Sequence, residues 1–378
     1  METVIKNVSL YPITSPPIQK GFVHIRDGKI MDFGSDIELP KQAEVIDGKS
    51  QMLFPGFIDV HTHIGLYDEG TGWAGSDANE TIEATTPHLR AIDGAHPMDP
   101  AFFHARKAGV TSAHIMPGSA NIIGGMTAVI KTVGHSINQM LLKDIAGLKM
   151  ALGENPKRVH SPSRNASITR LGIMGTLREA FYSAIKSHDP ENLRVQPLLK
   201  ALHREIPVRI HAHRADDIVT ALRLADEFNL DLRIEHCTEG HLIVDELAGR
   251  NLQVSVGPTF TRMSKIELRN KTWQTYKVLH EHGVKVSIMT DHPYTPIQYL
   301  NLCAALAARE GLPLEDALRG ITINPAKNLG IEDRVGSIEK GKDADLVLWN
   351  GHPFEFMSTP IWTMIDGKIV YTCELKNA

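Results

Sequence analysis

Between Phe57 and Thr290, short apolar and β-branched runs alternate with longer segments of helical period. This is the pattern of a parallel sheet with crossover helices. Eight runs predict strands: Phe57 to His61, Ser112 to Met116, Thr127 to Lys131, Leu148 to Gly153, Val208 to His211, Leu232 to His236, Gln253 to Val256 and Val284 to Thr290. Helical period marks Pro100 to Ala108, Met174 to Ile185, Ile218 to Phe228, His241 to Gly249, Trp273 to Glu281 and Ile297 to Glu310. The alternation predicts an α/β fold, a (β/α)8 TIM barrel.

The two ends carry a different rhythm. From Thr3 to Leu53, short alternating runs break at turn signals, as where Val23-His24-Ile25 meets Asp27-Gly28. Similar runs return at Ala344 to Trp349, at Trp362 to Ile365 before Asp366-Gly367, and at Ile369 to Tyr371. They predict a small β-sandwich built from both termini, residues 1–53 and 331–378, around a barrel of residues 54–330. A chain of 378 residues has room for this, since single cores stop growing near roughly 250–300 residues. Two stretches fit no regular element, Ile64 to Met98 and Asn155 to Thr169. Both follow predicted strands and are expected over the C-terminal mouth, where such barrels place their chemistry.

Composition narrows the partners. The chain is 42% hydrophobic and 22% charged with a formal net charge of -4, which gives no electrostatic reason to bind nucleic acid or an anionic membrane. No apolar run reaches the roughly 18 residues that span a bilayer, and the first residues do not read as a signal peptide. A small-molecule substrate and a cytoplasmic location are expected. Cys237, Cys303 and Cys373 form no Cys-x-x-Cys, so neither a disulfide framework nor a thiolate zinc site is predicted.

Chemistry enters through histidine. His61 and His63 stand at i and i+2 at the end of the first predicted strand, on one face, where two neutral imidazoles suit Zn or a similar ion. Three further strands end in ligand-type residues, at His211 with His213, at His236 and at Asp291; a fourth ends at Glu154. Ligands at the C-terminal ends of several barrel strands converge in space.

With these residues in view, the chain resembles the amidohydrolase superfamily, near its imidazolonepropionase-like and prolidase-like branch. The likeness rests on Pro55-Gly-Phe-Ile-Asp-Val-His-Thr-His63, on His211, His236 and Asp291, on Asn324-Pro-Ala-Lys327, and on Gly336 to Val347. It implies a hydrolase of C–N bonds, with a divalent metal (Zn first, Fe, Mn or Ni as alternatives) in one or two sites and a homo-oligomeric assembly. By that resemblance His61, His63 and Asp291 hold one ion and His211 with His236 a second. Glu154 lies between the ions, with a carboxylated Lys149 or Lys131 as fallback. Asp291 is the catalytic acid and base; His236 or His211 steadies the oxyanion if one ion binds. His213, His292, Arg164 and Arg170 are candidate substrate contacts. The implied substrate is an amide, cyclic amide or dipeptide. Deamination of an amidine-like carbon and a metal-free scaffold are the alternatives.

Overall fold

The computed structural model describes residues 2–36, 40, 42–160 and 169–373. Sixteen strands follow in chain order: β1 (Glu2–Leu10), β2 (Ile18–Arg26), β3 (Lys29–Gly34), β4 (Glu44–Asp47), β5 (Met52–Pro55), β6 (Phe57–Thr62), β7 (Val110–Ile115), β8 (Ile123–Lys131), β9 (Leu141–Ala151), β10 (Val208–Ala212), β11 (Leu232–His236), β12 (Gln253–Val256), β13 (Lys285–Ile288), β14 (Leu346–Trp349), β15 (Pro360–Ile365) and β16 (Lys368–Thr372). They form two eight-stranded sheets.

The barrel sheet runs in chain order from β6 to β13. Its first and last strands meet beyond the regular ladder, where Asp291 N donates to His61 O at 3.1 Å and His63 N donates to His292 O at 2.9 Å. A TIM-like barrel is therefore present, with one departure from the expected parallel sheet. β8 runs antiparallel to both β7 and β9. The links Ile115 to Ile123 and Lys131 to Leu141 are too short for a crossover helix, and a short link reverses the strand. Helices such as Arg170–Ile185 and Ala215–Phe228 cover the outside. A large apolar core, including Leu148, Ile210, Ile234, Leu177 and Phe181, lies where sheet and helices pack.

The second sheet joins the termini, with β5 antiparallel to β14 from Met52↔Trp349 to Pro55↔Leu346. Ile5, Val23, Leu53, Leu346, Trp362 and Met364 form its own core. The residues after Gly153 are not a plain loop, because Glu154–His160 is a helix. Among the described residues, no helix is long and apolar enough to cross a membrane.

A charged cluster fastens the sheet to the barrel. Lys131, at the end of β8, lies 2.8 Å from Asp343 and 3.1 Å from Asp345, and also pairs with Asp366. Arg334 and Lys29 reach Asp343 as well. Lys131 is thus spent on this joint, away from the histidines. Removing one partner of a buried pair strands the other charges. Lys131→Met is expected to lower stability by about 3 kcal/mol, read as an earlier urea midpoint, with metal content per folded chain unchanged.

Candidate metal centre

The barrel edges fix the first half of the site. Asp59, fully buried in β6, accepts hydrogen bonds from the Thr290 hydroxyl and, at 3.3 Å each, from Thr290 N and His61 N. Burial pushes its carboxyl up to about 7, the hydrogen bonds opposing that rise. The clasp carries Asp291 across to β6, where its Oδ1 lies 3.3 Å from Nε2 of both His61 and His63. Asp291 sits in the left-handed region at φ +55°, a strained conformation of the kind that gathers at functional sites.

The second half comes from β10 and β11. His211 lies in β10 and His213 follows its end, and His236, at φ +74°, ends β11. Ring centroids lie 4.2 Å apart for His211 and His236, and 4.4 Å for His213 and His236. Among the described residues, two groups bring ligand atoms within 4.8 Å of one another: His211, His213 and His236, and His61, His236 and Asp291.

Outward hydrogen bonds orient the rings. Nδ1 of His63 donates to Met116 O at 2.8 Å, Nδ1 of His236 to Gly257 O at 2.9 Å, and Nδ1 of His61 to Glu235 at 2.9 Å. His213 Nδ1 shares a hydrogen bond of 2.7 Å with Thr238 Oγ1. A carbonyl only accepts, so the proton sits on Nδ1 and the Nε2 lone pair faces inward. Burial lowers His63, His213 and His236, and takes His211 to about 4. These rings are neutral at pH 7. For Asp291, burial alone would raise the carboxyl, but the imidazoles of His61 and His63 beside it hold it well below the usual range. Among the described residues neither ring nitrogen of buried His211 has a hydrogen-bond partner, an unfavourable state that a metal–nitrogen bond would relieve. Neutral imidazoles with a carboxylate are the donors a Zn-like ion takes.

Lys149 on β9 completes the cluster. It is buried, with Nζ 3.5 Å from His61 Nε2 and 3.0 Å from Met116 Sδ. Burial lowers its ammonium to about 8.

The remaining sequence candidates scatter. Glu154 opens the helix beyond Gly153, its backbone N donating to Glu267 at 3.0 Å, and it belongs to neither ligand group. Gly153, at φ +82°, turns the chain away first. His292 is buried beside His63; its Nδ1 accepts from Ile297 N at 3.3 Å, its Nε2 has no hydrogen-bond partner among the described residues, and burial takes it to about 4. Arg170 is held bidentately by Asp217 at 2.8 and 3.0 Å. Arg164 lies outside the described residues.

Other groups were not anticipated. Glu267 Oε1 stands 3.8 Å from His211 Nε2 and 3.7 Å from His213 Nε2, with Lys265 at 2.6 Å; it comes from the short 3-10 helix Ile266–Leu268, too brief to leave a periodic sequence signal. Tyr67 sets its ring against His63 at 5.9 Å and accepts from Asn79 at 2.7 Å. Glu235 and Arg209, both fully buried, sit behind His61. Glu235 directly precedes His236 in the sequence, and only His236 stands at the strand end that marks a ligand.

Comparisons with known proteins follow the geometry. The amidohydrolase family model matches residues 52–370. The amidohydrolase tasK of Hapsidospora irregularis is 31% identical over 367 residues, covering 87% of this chain and 37% of that relative, so the chain spans about a third of its length. An imidazolonepropionase of Mesorhizobium japonicum is 25% identical over 372 residues, covering 88% of this chain and 87% of its own. The solved structure of an amidohydrolase from Thermotoga maritima superposes with a TM-score of 0.95 at 44% identity, covering 98% of this chain and 100% of that one.

His236 is common to both ligand groups. His236→Ala is expected to weaken Zn binding by more than the 10- to 100-fold that loss of an outer partner costs. Elemental analysis after dialysis should find less metal in it than in His63→Ala.

Proposed function

This chain belongs to the amidohydrolase family and is a hydrolase acting on carbon–nitrogen bonds, and we propose that it opens a small amide, cyclic amide or dipeptide with the help of a divalent ion, Zn foremost. The observation that carries the reading is the gathering of His61, His63 and His236 beside Asp291, each of these three rings tied outward through Nδ1. When bound, the ion supplies hydroxide at neutral pH and polarises a carbonyl.

The chain's own residues do the rest. Asp291 takes the proton of the attacking water on its carboxylate and returns it to the leaving nitrogen, a role its ionised state allows. His63 and His61 hold that carboxylate in place at 3.3 Å. Buried rings on β10 and β11 keep bulk water from competing.

Lys149 replaces Glu154 in this reading as the residue that would supply a further acidic group to the metal site. Its ammonium is lowered to about 8 by burial, so an appreciable fraction is free amine near neutrality. The amine nitrogen can bond to the carbon of carbon dioxide and release a proton, giving a carbamate whose negative charge suits a site otherwise made of neutral rings. Glu154 has no comparable placement.

A library of N-acyl amino acids, dipeptides and lactams tests the reaction. Release of an amine or ring-opened acid in proportion to bound Zn supports it; ammonia release from an amidine-like carbon, with no turnover of the library, overturns it. Asp291→Asn is expected to lower kcat by about 10²- to 10⁴-fold. Lys149→Ala is expected to abolish turnover, with partial return on adding a short carboxylic acid that fits the vacated space. Undiminished activity in either variant would remove the assigned role.

A further inference from the structure

Behind His61 lies a buried ionic chain that the hydrolytic steps leave unused. In a regular strand, Glu235 and His236 would face opposite sides of the sheet. The left-handed backbone of His236, at φ +74°, ends that alternation, and both side chains reach His61. Glu235 Oε2 lies 2.9 Å from His61 Nδ1, and the His236 ring centroid is 4.9 Å from that of His61.

Glu235, Arg209 and His61 are all 0% exposed. A carboxylate so deep persists as an anion only when paired and hydrogen-bonded. Its second oxygen accepts from Arg209 Nη1 at 2.9 Å. The guanidinium is itself fixed by Ala146 O at 3.2 Å, Asn328 Oδ1 at 3.1 Å and Asn328 O at 3.0 Å. Asn328 belongs to the helix Ile323–Leu329, in the run that begins Asn324-Pro-Ala-Lys. Residues from β10, β11 and this helix therefore end on a single ring nitrogen of β6.

We infer that Glu235, held by Arg209 and Asn328, is the positioning group that makes His61 a metal donor. A carboxylate can only accept, so it keeps the His61 proton on Nδ1 and turns the Nε2 lone pair towards Asp291 and Lys149. The companion rings lean on neutral acceptors, Met116 O for His63 and Gly257 O for His236. A charged acceptor makes the opposite nitrogen more basic. His61 is then the strongest imidazole donor of the set. A salt bridge serving stability alone would need no imidazole at its end, and an apolar pair of similar volume would do as well.

The inference rests on the metal-dependent reading, and Zn²⁺ alone serves as the probe. Metal-stripped protein is titrated with Zn²⁺ against a chelator, and its melting is recorded separately. Glu235→Gln keeps the shape and removes the charge. Glu235→Leu with Arg209→Met removes the ionic pair together and keeps the test open if the single variant fails to fold. Both are expected to bind Zn²⁺ about 10- to 100-fold more weakly, with a changed visible spectrum after Co²⁺ substitution, while the metal-free double variant melts close to the parent chain. Wild-type Zn²⁺ affinity and Co²⁺ spectrum in a folded variant, whatever its melting point, would overturn the positioning role. A parent chain that takes up no Zn²⁺ would overturn the metal reading itself, a result that no Glu235 variant could mimic.

Discussion

Two backbone hydrogen bonds, from Asp291 N to His61 O and from His63 N to His292 O, close the barrel through the residues that carry its chemistry. If the edges parted, Asp291 could not lie 3.3 Å from both rings. The same edge is braced from outside. β5 passes through Gly56 into β6, Gly56 N donates to Asp345 O at 2.8 Å, and a Cβ on Gly56 would lie 2.0 Å from Thr111 Oγ1. Only glycine admits that approach. Asp345 in turn meets Lys131 at the end of β8. The terminal sheet is thus part of the closure, and the acidic C-terminal segment bears on the position of His61.

Much of this frame was legible in the sequence because period and turn chemistry are local properties. The apolar runs at Val208, Leu232 and Gln253 became β10, β11 and β12, and the terminal hairpins met as their alternation implied. Strand direction was less legible: the run at Thr127 looks the same in either sense, and only the absence of a crossover helix between β7 and β8 marks it as antiparallel. The surroundings of the histidines show the same limit. β9 ends at Ala151 and Gly153 bends the chain, so Glu154 opens a helix whose backbone meets Glu267, while Lys149, two residues before the strand's end, lies beside His61. A lysine inside a strand reads as solvated, since burying one is expensive. Its cause is tertiary: the cavity it fills is lined by His61 and Met116, from two other strands.

Burial is what gives the histidines their chemistry. In water an imidazole titrates near 6.5 and spends part of its time protonated, when it cannot bind a metal. Here desolvation keeps His63, His211, His213 and His236 neutral, and the outward Nδ1 bonds choose which nitrogen is free. The cost is backbone strain at Asp291 and His236, where β-region geometry would have pointed each side chain elsewhere. Such strain holds because His236 ends a strand paired on both sides and Asp291 is pinned through its backbone N to His61 O.

The wall facing the ligands continues into the mouth. Glu267, beside His211 and His213, is paired with Lys265 at 2.6 Å, and Lys265 reaches Asn155 at 3.2 Å. Asn155 donates to Ser119 at 2.7 Å. Further along the same helix, His160 bonds Asn121 at 3.1 Å, which donates to Thr86 at 2.9 Å. Ser119 and Asn121 after β7, Asn155 and His160 after β9, and Lys265 after β12 are therefore fastened to one another. Because Glu267 belongs both to this polar chain and to the surroundings of His211, a change at the mouth that shifts Lys265 also alters the charge seen by the second group of ligands. One buried carboxylate thus joins the polar wall of the mouth to the surroundings of His211 and His213.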